Sequence, residues 1–109
     1  MIDDGHAVHY SEISRGTPVY ASDEVEIGTV DRVLDNYREG ILDGFVIRMP
    51  GVGLRFVDAP EVARTAERAV TLTITAEEAH ELPPPPSGVA AFRPNLRGGP
   101  LGRLFGRRQ

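Results

Sequence analysis

The sequence predicts an all-β fold, namely a small β-barrel of five to six short strands with a short C-terminal helical turn and a disordered tail. β-prone runs are separated by turn residues at intervals of roughly 8 to 12, which is typical of small sandwiches and barrels. The clearest run alternates Val70, Leu72 and Ile74 with three threonines. Gly28 interrupts another run and indicates a bend or a close backbone approach, as at a barrel corner. That bend, and the need of a short sheet to hide its edges, favour a barrel over a sandwich.

The first strands are expected between residues 16 and 34. Residues 16–21 are β-prone, and Pro18 is tolerated at the start or edge of a strand. Residues 22–24 turn the chain, and residues 27–34 continue it as a second strand. Residues 36–40 then have the composition of a turn.

Residues 41–49 are rich enough in large apolar side chains to form a largely buried third strand. Pro50-Gly51 fits the centre of a type II turn that leads to a fourth strand at residues 54–57. Thr75 and Glu78 form a capping box, which predicts a short helix that runs through Leu82 and is ended by Pro83.

Composition excludes several classes of protein. The chain has 109 residues, 40% of them hydrophobic and none of them cysteine. Disulfides, thiolate nucleophiles and cysteine-based metal sites are therefore excluded. No apolar run reaches the roughly 18 residues of a membrane span. The opening residues 1–5 show neither a basic nor an apolar signal region, which predicts a cytoplasmic protein.

Charge divides the chain into two parts. Residues 1–82 hold seven arginines and all sixteen acidic residues, a net charge of −9, whereas residues 83–109 hold five arginines and no acid, a net charge of +5. The sign changes at four consecutive prolines. We therefore predict an N-terminal extension (1–15), a folded domain (16–82), and a Pro-rich linker with a basic flexible tail (83–109).

Several stretches of the predicted domain resemble the PRC-barrel family, and the resemblance covers roughly residues 14–82. They are Gly16-Thr17-Pro18-Val19-Tyr20-Ala21-Ser22-Asp23, Ile27-Gly28-Thr29-Val30-Asp31, and Phe56-Val57-Asp58-Ala59-Pro60-Glu61-Val62 before Val70-Thr71-Leu72. The chain looks like a small stand-alone bacterial member. The resemblance implies a small barrel that serves as an assembly or adaptor module, with no shared catalytic residues. One departure concerns the first turn, where Glu24 follows Asp23 in place of the family's glycine.

Few residues are candidates for chemistry. His6 and His9, near Asp3 and Asp4, could hold a divalent metal, but a solvated, mobile N-terminus explains them as well. Other carboxylates that could pair for acid–base work are expected on turns and on the solvated face of a strand. They are Asp23 with Glu24 and Glu26, and Asp31 with Asp35. No nucleophile stands beside a base, so we predict no enzyme, no cofactor and no assigned metal site.

The basic tail mixes arginines with apolar anchors and is the predicted site of partner contact. It could touch RNA or DNA, lie on an anionic membrane surface, fold onto a protein, or remain solvated. The candidate contact residues are Phe92, Arg93, Arg97, Arg103, Leu104, Phe105, Arg107 and Arg108.

The predicted function is that of a non-enzymatic protein–protein interaction or adaptor module. The alternative is an RNA- or ribosome-associated factor that uses the tail. A domain of about 60 residues buries only roughly 60% of its unfolded surface, so self-association would help its stability and a homodimer is expected. The partner protein itself is unknown.

Overall fold

The computed structural model describes residues 2–36 and 38–86. Six strands form one mixed sheet, two single 3₁₀ turns precede β1 and β5, and one short α-helix, α1, follows the last strand. The strands are β1 (Pro18–Tyr20), β2 (Glu26–Asn36), β3 (Ile41–Met49), β4 (Gly53–Asp58), β5 (Val62–Thr65) and β6 (Val70–Leu72); α1 is Ala76–Ala79, and the 3₁₀ turns are Tyr10–Glu12 and Ala59–Glu61. The predicted all-β class and strand number are confirmed.

The strands lie in the order β4-β3-β2-β1-β6-β5, and only the β1–β6 pair is parallel. The sheet is open, with β4 and β5 at its edges, so it does not close into the predicted barrel. Terminal segments cover both edges instead. The Phe56 N–H donates to Pro83 O at 2.8 Å beside β4, and the Val8 N–H donates to Thr65 O at 3.0 Å beside β5. A backbone group on each edge strand is thus hydrogen-bonded to a segment outside the sheet rather than to the other edge strand. These segments protect the edges, as closure into a barrel would have done.

The predicted turns and glycines have local explanations. Gly51 has a φ of 78°, as the second central position of a type II turn requires, and the Val52 N–H closes the turn on Met49 O at 3.0 Å. A Cβ on Gly28 would collide with the carbonyl oxygen of Arg48, which confirms the close backbone approach.

The end of the chain's last strand differs from the expected pattern. β6 stops at Leu72, three residues before the alternation ends at Thr75, because the Thr73 N–H donates to Glu61 O and the Ile74 carbonyl accepts from Ser22. β5 was not predicted as a strand, since its four residues are too few to show a period. Thr75 and Glu78 form the capping box of the helix as predicted, but the helix is one turn long and ends at Ala79 rather than at Leu82.

The main core lies on one face of the sheet, under α1 and the residues that follow it. Its largest fully buried side chains are Phe45, Ile47, Leu72, Val19, Val30, Val57 and Val70. Ile13 also lies in this core at 8% exposure, and Leu82 joins it from the other end of the domain. Among the buried apolar side chains outside this cluster, Leu34 and Val46 lie on the opposite face of the sheet, where they mark a second apolar patch.

Candidate functional site

The opposite face of β2, β3 and β4, here called the outer face, combines apolar and arginine side chains. The ladder places Arg32 beside Val46 and Val46 beside Phe56, and in the next row Thr29, Arg48 and Leu54 are neighbours. Leu54 and Phe56 are half-buried. The Phe56 ring occupies the space into which a Cβ on Gly44 would project, 2.7 Å from its Cζ atom. Glycine at position 44 therefore leaves room for the Phe56 ring on this face.

A buried carboxylate anchors the arginines of the outer face. Asp31 sits in a β-bulge, where the β2–β3 register shifts between Val30 and Arg32, and its side chain is only 5% exposed. Three arginines donate to it: Arg32 Nε at 3.2 Å, Arg15 Nη2 at 3.4 Å and Arg48 Nη2 at 3.4 Å. A bulge re-aims the side chain of its extra residue, which places this carboxylate among the three guanidinium groups.

The electrostatics of Asp31 follow from this arrangement. Burial raises the pKa of the carboxyl, but the hydrogen bond from Arg32 and the charges of Arg15, Arg32 and Arg48 outweigh burial and hold the pKa below its usual value. The carboxylate is therefore ionised at neutral pH. Three cations around one anion leave two positive charges at the surface of a domain whose sequence is otherwise acidic.

The sequence prediction for Asp31 was wrong, since it placed this residue on a solvated strand face. Strict alternation does not hold here, because the bulge inserts one extra residue into β2. A signal was present: Val30 and Val33 both pack on the main core although they are three residues apart. In a strand, an odd spacing between residues on one face indicates a bulge.

The other predicted acid–base groups do not form a site. Asp23 accepts a hydrogen bond from the Ala76 N–H at 3.3 Å and so helps to begin α1. Asp35 and Glu26 are exposed, as expected of a solvated face. Glu24 has a φ of 66°, so it adopts the left-handed conformation that favours glycine.

His6 and His9 lie in a segment that contacts β5 and the turn after it. Ala7 forms an isolated bridge with Ala66, and the Glu67 N–H donates to His6 O at 3.0 Å. Asp4 and Arg64 form an ion pair at 2.8 Å, and the Arg64 hydrogen bond, which outweighs a small effect of burial, lowers the pKa of Asp4.

The histidine rings have separate local roles. His9 Nδ1 accepts from the Ser11 N–H at 3.2 Å at the start of the first 3₁₀ turn, and its ring stacks at a tilt on Tyr10 with centroids 4.3 Å apart. Within residues 2–36 and 38–86, no three His, Asp or Glu side chains gather where a metal ion could be held.

The predicted contact residues of the tail, from Phe92 to Arg108, lie outside the described residues. No helix within the described part of the chain is long and apolar enough to cross a membrane. Compared with models of protein families and with curated proteins, the chain matches none of them.

Proposed function

We propose that this protein is a non-enzymatic interaction module, of the adaptor type that the PRC-barrel resemblance implies, and that a partner protein docks on its outer face. The observation that carries the proposal is the juxtaposition of half-buried Leu54 and Phe56 with Arg32 and Arg48. The cytoplasmic location and the homodimer expected from the sequence belong to the same proposal.

Aromatic residues and arginine are enriched at protein interfaces, because both supply a large contact area that remains compatible with water before docking. On the outer face Val46 lies on the middle strand, with Phe56 on one side and Arg32 on the other, and Leu54 lies beside Arg48. Val46 and Leu34 are buried. Docking surfaces combine apolar contact area with polar and charged groups, and this face offers both.

A separate observation favours the alternative of an RNA- or ribosome-associated factor, namely the five arginines among residues 93–108. Such a segment would bind phosphates with a steep dependence on salt. The two functions differ in the part of the chain that they require. The proposed one needs the outer face, and the alternative needs the tail.

Site-specific photocrosslinking in cells tests the proposal. A photoreactive amino acid replaces Leu54 on the outer face of the full chain, and a matched control carries it at Glu39, which is exposed on the β2–β3 turn. We expect a crosslink to a partner protein that forms from position 54 and not from position 39, and mass spectrometry identifies that partner. The purified partner should then bind the Leu54→Ser variant less tightly than the original chain. Equal crosslinks from both positions, or partner capture that requires only residues beyond 86, would contradict the proposal.

A further inference from the structure

We propose that Arg15, Arg32 and Arg48, here called the arginine triad, bind the carboxylates of an acidic segment on the docked partner. This inference rests on the proposed function, because it specifies the chemistry of the partner that the outer face would accept. It is carried by the donors, charge and neighbours of the triad.

Most hydrogen-bond donors of the triad are available. A guanidinium group has five N–H donors. Within the described residues, each of these arginines makes a single polar contact, the one with Asp31. The side chains are 77%, 52% and 58% exposed for Arg15, Arg32 and Arg48. Each guanidinium is thus held at one point by Asp31 while its remaining donors face solvent.

The triad also carries more positive charge than its anchor requires. One arginine would be enough to pair with a buried carboxylate, and every further one adds repulsion between like charges. Asp31 orients the three groups in advance, which reduces the side-chain entropy that binding would otherwise cost. A second carboxylate placed over the triad would relieve the repulsion and could accept bidentate hydrogen bonds.

The surroundings favour an acidic segment that also has apolar side chains. Arg48 is the cross-strand neighbour of Leu54, and Arg32 is the neighbour of Val46, which is followed by Phe56. Carboxylates over the triad would therefore bring adjacent residues of the same segment over Leu54 and Phe56. A peptide in which acidic and apolar residues alternate matches this spacing of functional groups.

The same surroundings disfavour a nucleic acid on this surface. A hollow of about 520 Å³ is lined by Glu26 as well as by Arg48, and Asp58 ends the row of outer-face residues on β4. A polyanion would have to extend past these acids, and three cations are few for a phosphate backbone that is usually neutralised at several positions. A short segment needs only the triad.

The test is an NMR titration of the full ¹⁵N-labelled chain with a short synthetic peptide that alternates glutamate with leucine. Binding is read at the Nε–Hε signals of Arg15, Arg32 and Arg48, which separates the triad from the arginines beyond residue 86. A peptide with glutamine in place of glutamate and a short uridine oligonucleotide serve as comparison ligands. Arg48→Gln is the test variant, and Arg38→Gln, an equal change of charge on the exposed β2–β3 turn, is its control.

We expect the glutamate peptide to shift the triad signals to saturation and the glutamine peptide to leave them unchanged. Arg48→Gln should weaken binding of the glutamate peptide about tenfold, because a hydrogen bond to a charged group contributes roughly 1.5 kcal/mol or more. Arg38→Gln should bind as the original chain does. Shifts confined to arginines beyond residue 86, or tighter binding of the oligonucleotide at the triad, would overturn the inference. If crosslinking at position 54 succeeds while this titration fails, the inference is wrong and the proposed function stands.

Discussion

Arg48 on β3 donates to the buried carboxylate of Asp31 on β2 at 3.4 Å, next to the bulge that interrupts the ladder between the two strands. The contact links the fold to the proposed function. It compensates a buried charge where backbone pairing is irregular, and it fixes a guanidinium group beside Leu54 and Phe56.

Asp31→Asn should destabilise the fold. The amide keeps the shape of the side chain but loses the charge that three arginines surround, and charge-assisted hydrogen bonds contribute about 2 kcal/mol. We expect the free energy of unfolding, measured by urea denaturation, to fall by about that amount. Asp43→Asn, at an exposed position on β3, is the matched control and should change stability by less than about 0.5 kcal/mol. Equal losses of unfolding free energy in the two variants would show that the charge of Asp31 does not stabilise the fold.

The stabilising effect of Asp31 should depend on pH. Its pKa is lowered in the folded state, so the effect is fully present above the carboxyl pKa of the unfolded chain, about 3.9, and is lost as the pH falls through the lower folded value. The difference in unfolding free energy between the original chain and Asp31→Asn should therefore be constant near neutral pH and shrink below about pH 4. A difference that grew on acidification would contradict this account.

The left-handed backbone at Glu24 predicts an unusual preference for glycine. A residue with a Cβ costs about 1 kcal/mol or more in this conformation, whereas glycine adopts it freely. Glu24→Ala and Glu24→Gly remove the same side-chain interactions, so their comparison isolates the backbone. We expect the glycine variant to have the higher melting temperature, by a stability difference of about 1 kcal/mol. A more stable alanine variant would exclude strain at this turn.

Gly28→Ala should be costly, because its methyl group would meet the Arg48 carbonyl of the adjacent strand, which cannot move without disturbing the ladder. We expect a loss of roughly 1–3 kcal/mol in unfolding free energy. Gly16→Ala provides a contrast, since that position has a positive φ but no atom within 4 Å of the added Cβ. A smaller loss at Gly28 than at Gly16 would show that the strands are not as close as the structure has them.

The packing of the N-terminal segment can be tested at Ile13. This side chain is 8% exposed in the main core, and truncation of a buried isoleucine to alanine costs about 2–5 kcal/mol. Ile13→Ala should therefore lower the midpoint of chemical denaturation clearly. Val25→Ala, at a position 47% exposed, should have little effect. If both variants behave alike, the Ile13 side chain does not contribute to the main core.

Apolar composition predicted the third strand well, because consecutive residues of β3 are buried on both faces of the sheet. β3 has the bounds that its apolar composition indicated. The predicted closure of the sheet into a barrel was wrong. Closure requires the two edge strands to meet, and here they instead form hydrogen bonds with residues distant in the sequence, such as Val8 and Pro83. No local pattern records those contacts.

The candidate site was harder to predict than the fold. Arg15, Arg32 and Arg48 are spread over three segments, and only the bulge at Asp31 brings them together. Taken singly, each is an ordinary surface arginine in a chain that has no lysine. The odd spacing of Val30 and Val33 indicated the bulge, but it did not indicate which arginines would contact the Asp31 carboxylate.

Competition between the acidic peptide and the partner tests whether the partner docks through the arginine triad. The chain with a photoreactive amino acid at position 54 is crosslinked to its purified partner while the glutamate–leucine peptide is added at increasing concentration. We expect the crosslink yield to fall in step with saturation of the triad signals, and the glutamine peptide to have no effect. An unchanged crosslink yield at saturating glutamate peptide would contradict the claim that the partner docks on the outer face through the arginine triad.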